Sequence, residues 1–169
     1  MTGVTRVSVL AAVAAATAIV DQTAKHLMFD RLAETGPTRH FAGLLRFELA
    51  LNRGGFLGLG ESLDPTVRWV VFTLAVTVAL VATAWIALRG TSSVSSLVSF
   101  GLILGGGFGN LLDRVLLDGV VRDYAIVGIG PVRTGVFNLA DTAILVGASV
   151  LILGSWLDSS TSDRSSSPA

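Results

Sequence analysis

The chain has 169 residues, of which 51% are hydrophobic and only 14% charged, with 12 basic and 12 acidic side chains and no cysteine. A soluble domain carries roughly 25% charged residues, so this composition, with a mean hydropathy of +0.72, indicates an integral membrane protein. Zero formal charge without a basic patch gives no footprint for nucleic acid, and the lack of cysteine excludes disulfides, thiol nucleophiles and Cys-based metal sites.

Four apolar runs are long enough to cross a bilayer, at residues 7–28, 69–88, 94–112 and 136–157. They predict one four-span domain over 1–169 with both termini on the same side. The polar tail 158–169 reads as disordered. The first run has a rival reading: Arg6, an apolar stretch and Ala16-Thr17-Ala18 resemble a signal peptide with its cleavage site. The run leads directly into Asp21 and Lys25, which favours a retained span. Those two residues are four apart and share a helix face. They form either an ion pair closing the helix end or a polar pair aimed between helices.

Between the first two spans, Leu45, Phe47, Leu49 and Leu51 alternate with Arg46, Glu48 and Ala50. Period two predicts a strand with one buried face. It feeds Asn52, Arg53, Gly54 and a glycine-rich stretch reaching Gly60. The segment is either an ordinary hairpin or an edge on which an extended peptide could pair. His26 and His40 lack any zinc-site spacing and read as interfacial polar residues. No metal is expected.

In the third span Gly101, Gly105 and Gly109 form a small-residue row for close helix packing. Gly106, Asn110 and Arg114 form an adjacent row, with Asp113 beside it. Unsatisfied polar groups in lipid cost several kcal/mol each, roughly, so this row demands partners. The fourth run, Val136 to Leu157, is 22 residues long with Asp141 as its one charge. Asp141 lies about 7.5 Å along the helix at about 1.5 Å per residue, near one membrane surface. Asn138 shares its face, Ala140 leaves room beside it, and the helix N-terminus favours its ionised form. Asp123 lies eighteen residues upstream on the preceding loop. Two aspartates and a water are the equipment of an aspartyl protease.

Charge bias argues against a cytoplasmic N-terminus. One side would hold Arg6, Arg89 and Arg164, and the other Arg31, Arg39, Arg46, Arg53, Arg114, Arg122 and Arg133. The first loop also carries Asp30, Glu34, Glu48, Glu61 and Asp64 and is long enough to fold, which weakens the rule. A proton-coupled transporter using Asp21, Lys25 and Asp141 is the alternative class. It would place these residues near the bilayer midplane.

Five blocks resemble signal peptidase II, the bacterial prolipoprotein signal peptidase, in that family's order. They are Asp21-Gln22-x-x-Lys25, Asn52-x-Gly54-x-Phe56, Gly105-Gly106-x-x-Gly109-Asn110-x-x-Asp113-Arg114, Gly119-Val120-Val121-Arg122-Asp123-Tyr124 and Phe137-Asn138-x-Ala140-Asp141. The family's familiar Val-Val-Asp-Phe reads Val121-Arg122-Asp123-Tyr124 here. On spacing alone Asp118 competes with Asp123; the order Gly, Val, Asp, aromatic selects Asp123. The resemblance implies four transmembrane helices with a small extracytoplasmic β-platform. It implies an aspartic endopeptidase with Asp123 and Asp141 as the catalytic pair. Asp21, Lys25, Asn52, Gly54, Gly106, Asn110, Arg114, Asn138 and Ala140 would line or support the site. The implied partners are prolipoprotein signal peptides with a diacylglyceryl cysteine, membrane lipids and globomycin-type inhibitors, acting on a monomer without a cofactor. The location would be the bacterial cytoplasmic membrane, with the site on the extracytoplasmic side and both termini in the cytoplasm. An inactive family member serving as a scaffold would share these blocks.

Overall fold

A computed structural model of the chain describes residues 2–54, 63–90 and 93–165. Four long helices carry a four-stranded antiparallel sheet at one end. Helix α1 spans Gly3–Thr35; β1 is Thr38–His40 and β2 is Leu45–Asn52, joined through a 3-10 turn at Phe41–Gly43. Helices α2, Pro65–Gly90, and α3, Val94–Leu116, follow. Strands β3, Val121–Ile129, and β4, Val132–Arg133, precede α4, Leu139–Ser165. All four helices are long and apolar enough to cross a membrane, and the protein is a multi-pass membrane protein.

Local chemistry sets the helix ends. Thr2 and Ser93 accept the backbone N–H groups of Thr5 and Ser96, capping α1 and α3. Asp64 accepts from the N–H groups of Thr66 and Val67, with Pro65 at the first helical position of α2. Helix α1 stops at Gly36, which turns at φ +69° while its N–H bonds Leu32 O. Helix α4 starts at Leu139 rather than 136 because Asn138 caps it. It also runs past the expected end, to Ser165. That stretch holds no glycine or proline, so nothing in it breaks a helix already propagating from the span. Residues 166–169 of the expected tail lie outside the described residues, as does Phe56 of the second block.

Helix α3 is the most buried of the four and touches each of the others. Its glycines make this possible. A β-carbon at Gly101 would stand 2.7 Å from Val13 Cβ, and one at Gly107 2.6 Å from Leu80. One at Gly106 would stand 2.5 Å from the Ala140 carbonyl oxygen, and Gly109 packs on the Asp21 carboxylate. With no hydrophobic drive between helices in lipid, such close backbone approach supplies the packing. Outward faces stay apolar, as at Val70, Leu74, Val78 and Val81 of α2.

At 33 residues α1 is about 50 Å long at 1.5 Å per residue, well beyond a hydrocarbon core of about 30 Å. Its far end carries the sheet: Leu32, Ala24, Met28 and Phe29 pack with Tyr124, Ala125, Phe47 and Phe137. Sheet order is β1-β2-β3-β4. The pairing of β2 with β3 breaks once, between Phe47↔Ala125 and Ala50↔Asp123, where β2 carries one extra residue. This bulge corrects the simple alternation read from the sequence. Phe47 faces the core, but beyond the bulge Ala50 and Asn52 take the inward positions and Leu49 and Leu51 are exposed.

Gly147 of α4 shows the packing constraint away from the sheet. A β-carbon there would meet Ser99 O at 2.6 Å and Ile103 at 2.9 Å, whereas one at Gly154 meets nothing. Gly147→Ala should therefore lower the unfolding midpoint in detergent, by about 1–3 kcal/mol of stability after overpacking. Gly154→Ala should leave it unchanged or slightly raised. Differential scanning fluorimetry of the purified variants reads both.

Candidate active site

The buried charged and amide side chains gather where the sheet meets the helices. Asp21, Lys25, Asn110, Asp113, Arg114, Asp123 and Asn138 are all at most 8% exposed. Lys25 is the fully buried centre. Its Nζ lies 2.9 Å from Asp21 Oδ2, 3.3 Å from Asp113 Oδ2 and 2.8 Å from Asn110 Oδ1. Three oxygens thus surround the one ammonium. Asp21 and Lys25 thus form the ion pair their spacing predicts, but inside a network spanning α1 and α3.

Two asparagines extend this network to the candidate carboxylates. Asn110 accepts from Lys25 and donates its Nδ2 to Asp141 Oδ1 at 2.8 Å. Asn138 donates its Nδ2 to Asp123 Oδ1 at 2.6 Å, and lies 3.1 Å from Asn110 Oδ1. Its own Oδ1 accepts the Asp141 N–H at 2.9 Å, while Asp141 Oδ2 accepts the Asn138 N–H at 3.2 Å. This reciprocal pair is a capping box, with Asn138 at the cap and Asp141 three residues on. Asp21 completes the helix start by accepting the Ala140 N–H at 2.9 Å. Ala140 is fully buried, with the Gly106 backbone against its carbonyl.

Asp123 arrives from the sheet. Its Oδ2 accepts from Asn52 Nδ2 at 3.0 Å, and Asn52 Oδ1 in turn accepts the Gly54 N–H at 3.0 Å. Asn52 reaches this carboxylate only because the bulge turns it inward. Burial, and then the nearby Asp141 charge, push the Asp123 carboxyl up to about 7, against the donors Asn52 and Asn138. Arg114 lies close to both carboxylates. It donates to Asn110 O at 3.3 Å and more weakly towards Gly54 O at 3.5 Å, while its buried Nε has no partner. Asp118 is elsewhere: exposed, at φ +51°, beside Arg53, Arg68 and Trp69.

Every described residue expected to line or support the site is therefore in or against this network. Gln22, His26 and Arg122 join the network although the sequence does not mark them for the site, while Asp113, beside the polar row of α3, is central to it. Asp113 accepts from Gln22 and from Arg122 through side chain and backbone, and forms an ion pair with Lys25. Gln22 and His26 both contact Arg122. Their signal was spacing: Gln22 and His26 are four apart, on the α1 face next to Asp21 and Lys25. The network lies near the C-terminal end of α3 and at the start of α4, with the Asp21 and Lys25 stretch of α1 packed against both. Among the described residues, no three His, Asp or Glu side chains converge as a metal-holding group.

Fold and site define a multi-pass membrane protein with two carboxylates held together at the junction of its helices and its sheet. Comparison with known proteins gives the family. The signal peptidase (SPase) II family model matches residues 13–157. The lipoprotein signal peptidase of Streptomyces coelicolor is 34% identical over 155 residues, covering 91% of this chain and 73% of its own. That of Bifidobacterium longum is 39% identical over 154 residues, covering 88% and 79%. A solved bacterial membrane enzyme, determined in meso at 2.3 Å resolution, superposes with a TM-score of 0.74 at 23% identity, covering 93% of this chain and 92% of its own. The chain belongs to the signal peptidase II family.

The Asp123 shift has a thermodynamic consequence. Between its ordinary value of 3.8 and about 7 the folded state holds a proton that the unfolded chain has released. Stability therefore falls as pH rises through that window and levels off above it. In Asp123→Asn this part of the slope should vanish. Thermal unfolding midpoints between pH 4 and pH 8 check it; an unchanged slope would show that another group carries it.

Proposed function

We propose that this protein is an aspartic endopeptidase that removes the signal peptide from diacylglyceryl-modified prolipoproteins, cutting before the lipidated cysteine. Family membership supports the removal of lipoprotein signal peptides. The observation that carries the aspartic mechanism is Asn138. Its side-chain amide donates to the Asp123 carboxylate and its backbone N–H to the Asp141 carboxylate, so one residue holds both.

Two such carboxylates do not ionise together cheaply. Burial within the sheet favours the proton on Asp123, and Asp141 then serves as the base. A water between them gives a proton to Asp141 as its oxygen attacks the scissile carbonyl carbon. Asp123 gives its proton to the carbonyl oxygen, forming a tetrahedral diol. Collapse of the diol breaks the C–N bond, with the departing nitrogen taking a proton from Asp141 and a diol hydroxyl returning one to Asp123. Arg114 presents a buried N–H with no partner inside the protein, suited to a substrate carbonyl. The diacylglyceryl chains stay in lipid beside the helices. The site faces the extracytoplasmic side of the bacterial cytoplasmic membrane, with both termini in the cytoplasm. Globomycin-type inhibitors bind across this site.

Purified protein should cleave a diacylglyceryl-modified prolipoprotein in a gel-shift assay. Asp123→Asn and Asp141→Asn should each lose cleavage while remaining folded in detergent, and Asp118→Asn should keep it. Cleavage by either of the first two would remove the pair from the mechanism. For the wild type, kcat/KM should fall as pH rises above about 7, where Asp123 gives up its proton.

A further inference from the structure

The two carboxylates ride on different parts of the molecule. Asp141 belongs to a membrane helix and is fixed by the capping box, Asn110 and the start of α4. Asp123 belongs to a strand, so its position relative to Asp141 depends on how the sheet is fastened to the helices. The residue before it, Arg122, is held at every polar group it has. Its N–H donates to Asp113 Oδ2 at 2.9 Å, and its carbonyl accepts from Asn138 Nδ2 at 3.3 Å. Its guanidinium grips the same Asp113 carboxylate as a fork, Nε to Oδ2 at 3.3 Å and Nη2 to Oδ1 at 2.7 Å. The guanidinium also reaches α1: Nη2 donates to Gln22 Oε1 at 2.9 Å as well, and Nη1 lies 3.3 Å from His26 Nδ1. The side chain is only 11% exposed, against an Asp113 that is fully buried.

Neighbouring residues in a strand project to opposite faces. Arg122 therefore reaches towards α1 and α3 while Asp123 reaches towards Asn52 and Asn138. A planar guanidinium with five donors holds several acceptors at once, which a lysine cannot. We infer that Arg122 is a positioning residue for Asp123: by fastening β3 to Asp113, Gln22 and His26, it sets where the Asp123 carboxylate stands relative to Asp141. This rests on the reading of Asp123 and Asp141 as the reacting pair.

The clamp contributes to alignment, so its loss acts on turnover more than on substrate binding. Arg122→Met keeps length and apolar bulk but removes every side-chain hydrogen bond. Its kcat should fall about 10- to 100-fold, the order that a misplacement of about 1 Å costs, with KM within about twofold of wild type. Arg122→Lys, with one charge and no fork, should be intermediate, and Gln22→Met, which removes one anchor, should lose less. Isotope-edited infrared spectroscopy should show the Asp123 carboxyl band displaced in Arg122→Met. Wild-type kcat with an undisplaced band, or a loss confined to KM, would overturn the inference. If Arg122→Met does not fold, Arg122→Lys and Gln22→Met decide, and wild-type kcat in both overturns it. Asp123→Asn run in parallel separates the two readings. An active Asp123→Asn ends both, whereas an inactive one beside a fully active Arg122→Met ends only the positioning role.

Discussion

The Lys25 ammonium is the interaction on which the rest of the site depends. It sits without solvent contact among Asp21, Asp113 and Asn110. Removing water from a charge is expensive, and only complete satisfaction of its donors makes such a group tolerable. Each partner then carries that order onward. Asp21 holds the start of α4 at Ala140, Asp113 holds the strand at Arg122, and Asn110 holds Asp141. One cation thereby fixes the mutual position of three helices and the sheet at a single point. The glycine contacts of α3 are the geometric condition for it, since wider helix spacing would leave the ammonium out of reach.

Around this centre the structure divides into two supports. The helix bundle, closely packed and apolar outside, places Asp141 through ordinary helix capping. The sheet places Asp123 and Asn52, and it does so through an irregularity. Phe47 and Asn52 are five residues apart and would lie on opposite faces of a regular strand. The bulge lets one serve the hydrophobic cluster under the sheet while the other meets a carboxylate.

Much of this was legible in the sequence, for physical reasons. Apolar run length gave the four helices, because in lipid a spanning segment must satisfy its own backbone. Asp141 stood out because an isolated charge in such a run is costly. The Asn138–Asp141 spacing encoded the capping box, although its second role, linking two carboxylates, needs three dimensions. The extra residue in β2 was not legible, since one inserted position leaves no mark on a short alternation. Nor was the use of Arg122. In sequence it is one more basic residue on the side with most arginines, and its partners lie 9 and 100 positions away. The polar composition beyond Leu157 does not mark the helical continuation to Ser165, which follows from the absence of a helix breaker there.

Helix α1 crosses the membrane and, without a break, carries the sheet beyond it. At about 50 Å it exceeds a hydrocarbon core of about 30 Å, so one unbroken helix links the apolar span to the sheet. A helix matches a thinner or thicker hydrocarbon layer by tilting or by drawing the lipid to itself. Glycine contacts tie α1 to α3, and α3 to α4, so any such adjustment moves the bundle and its polar end as one body. The apolar span and the polar end are thereby parts of one packed unit.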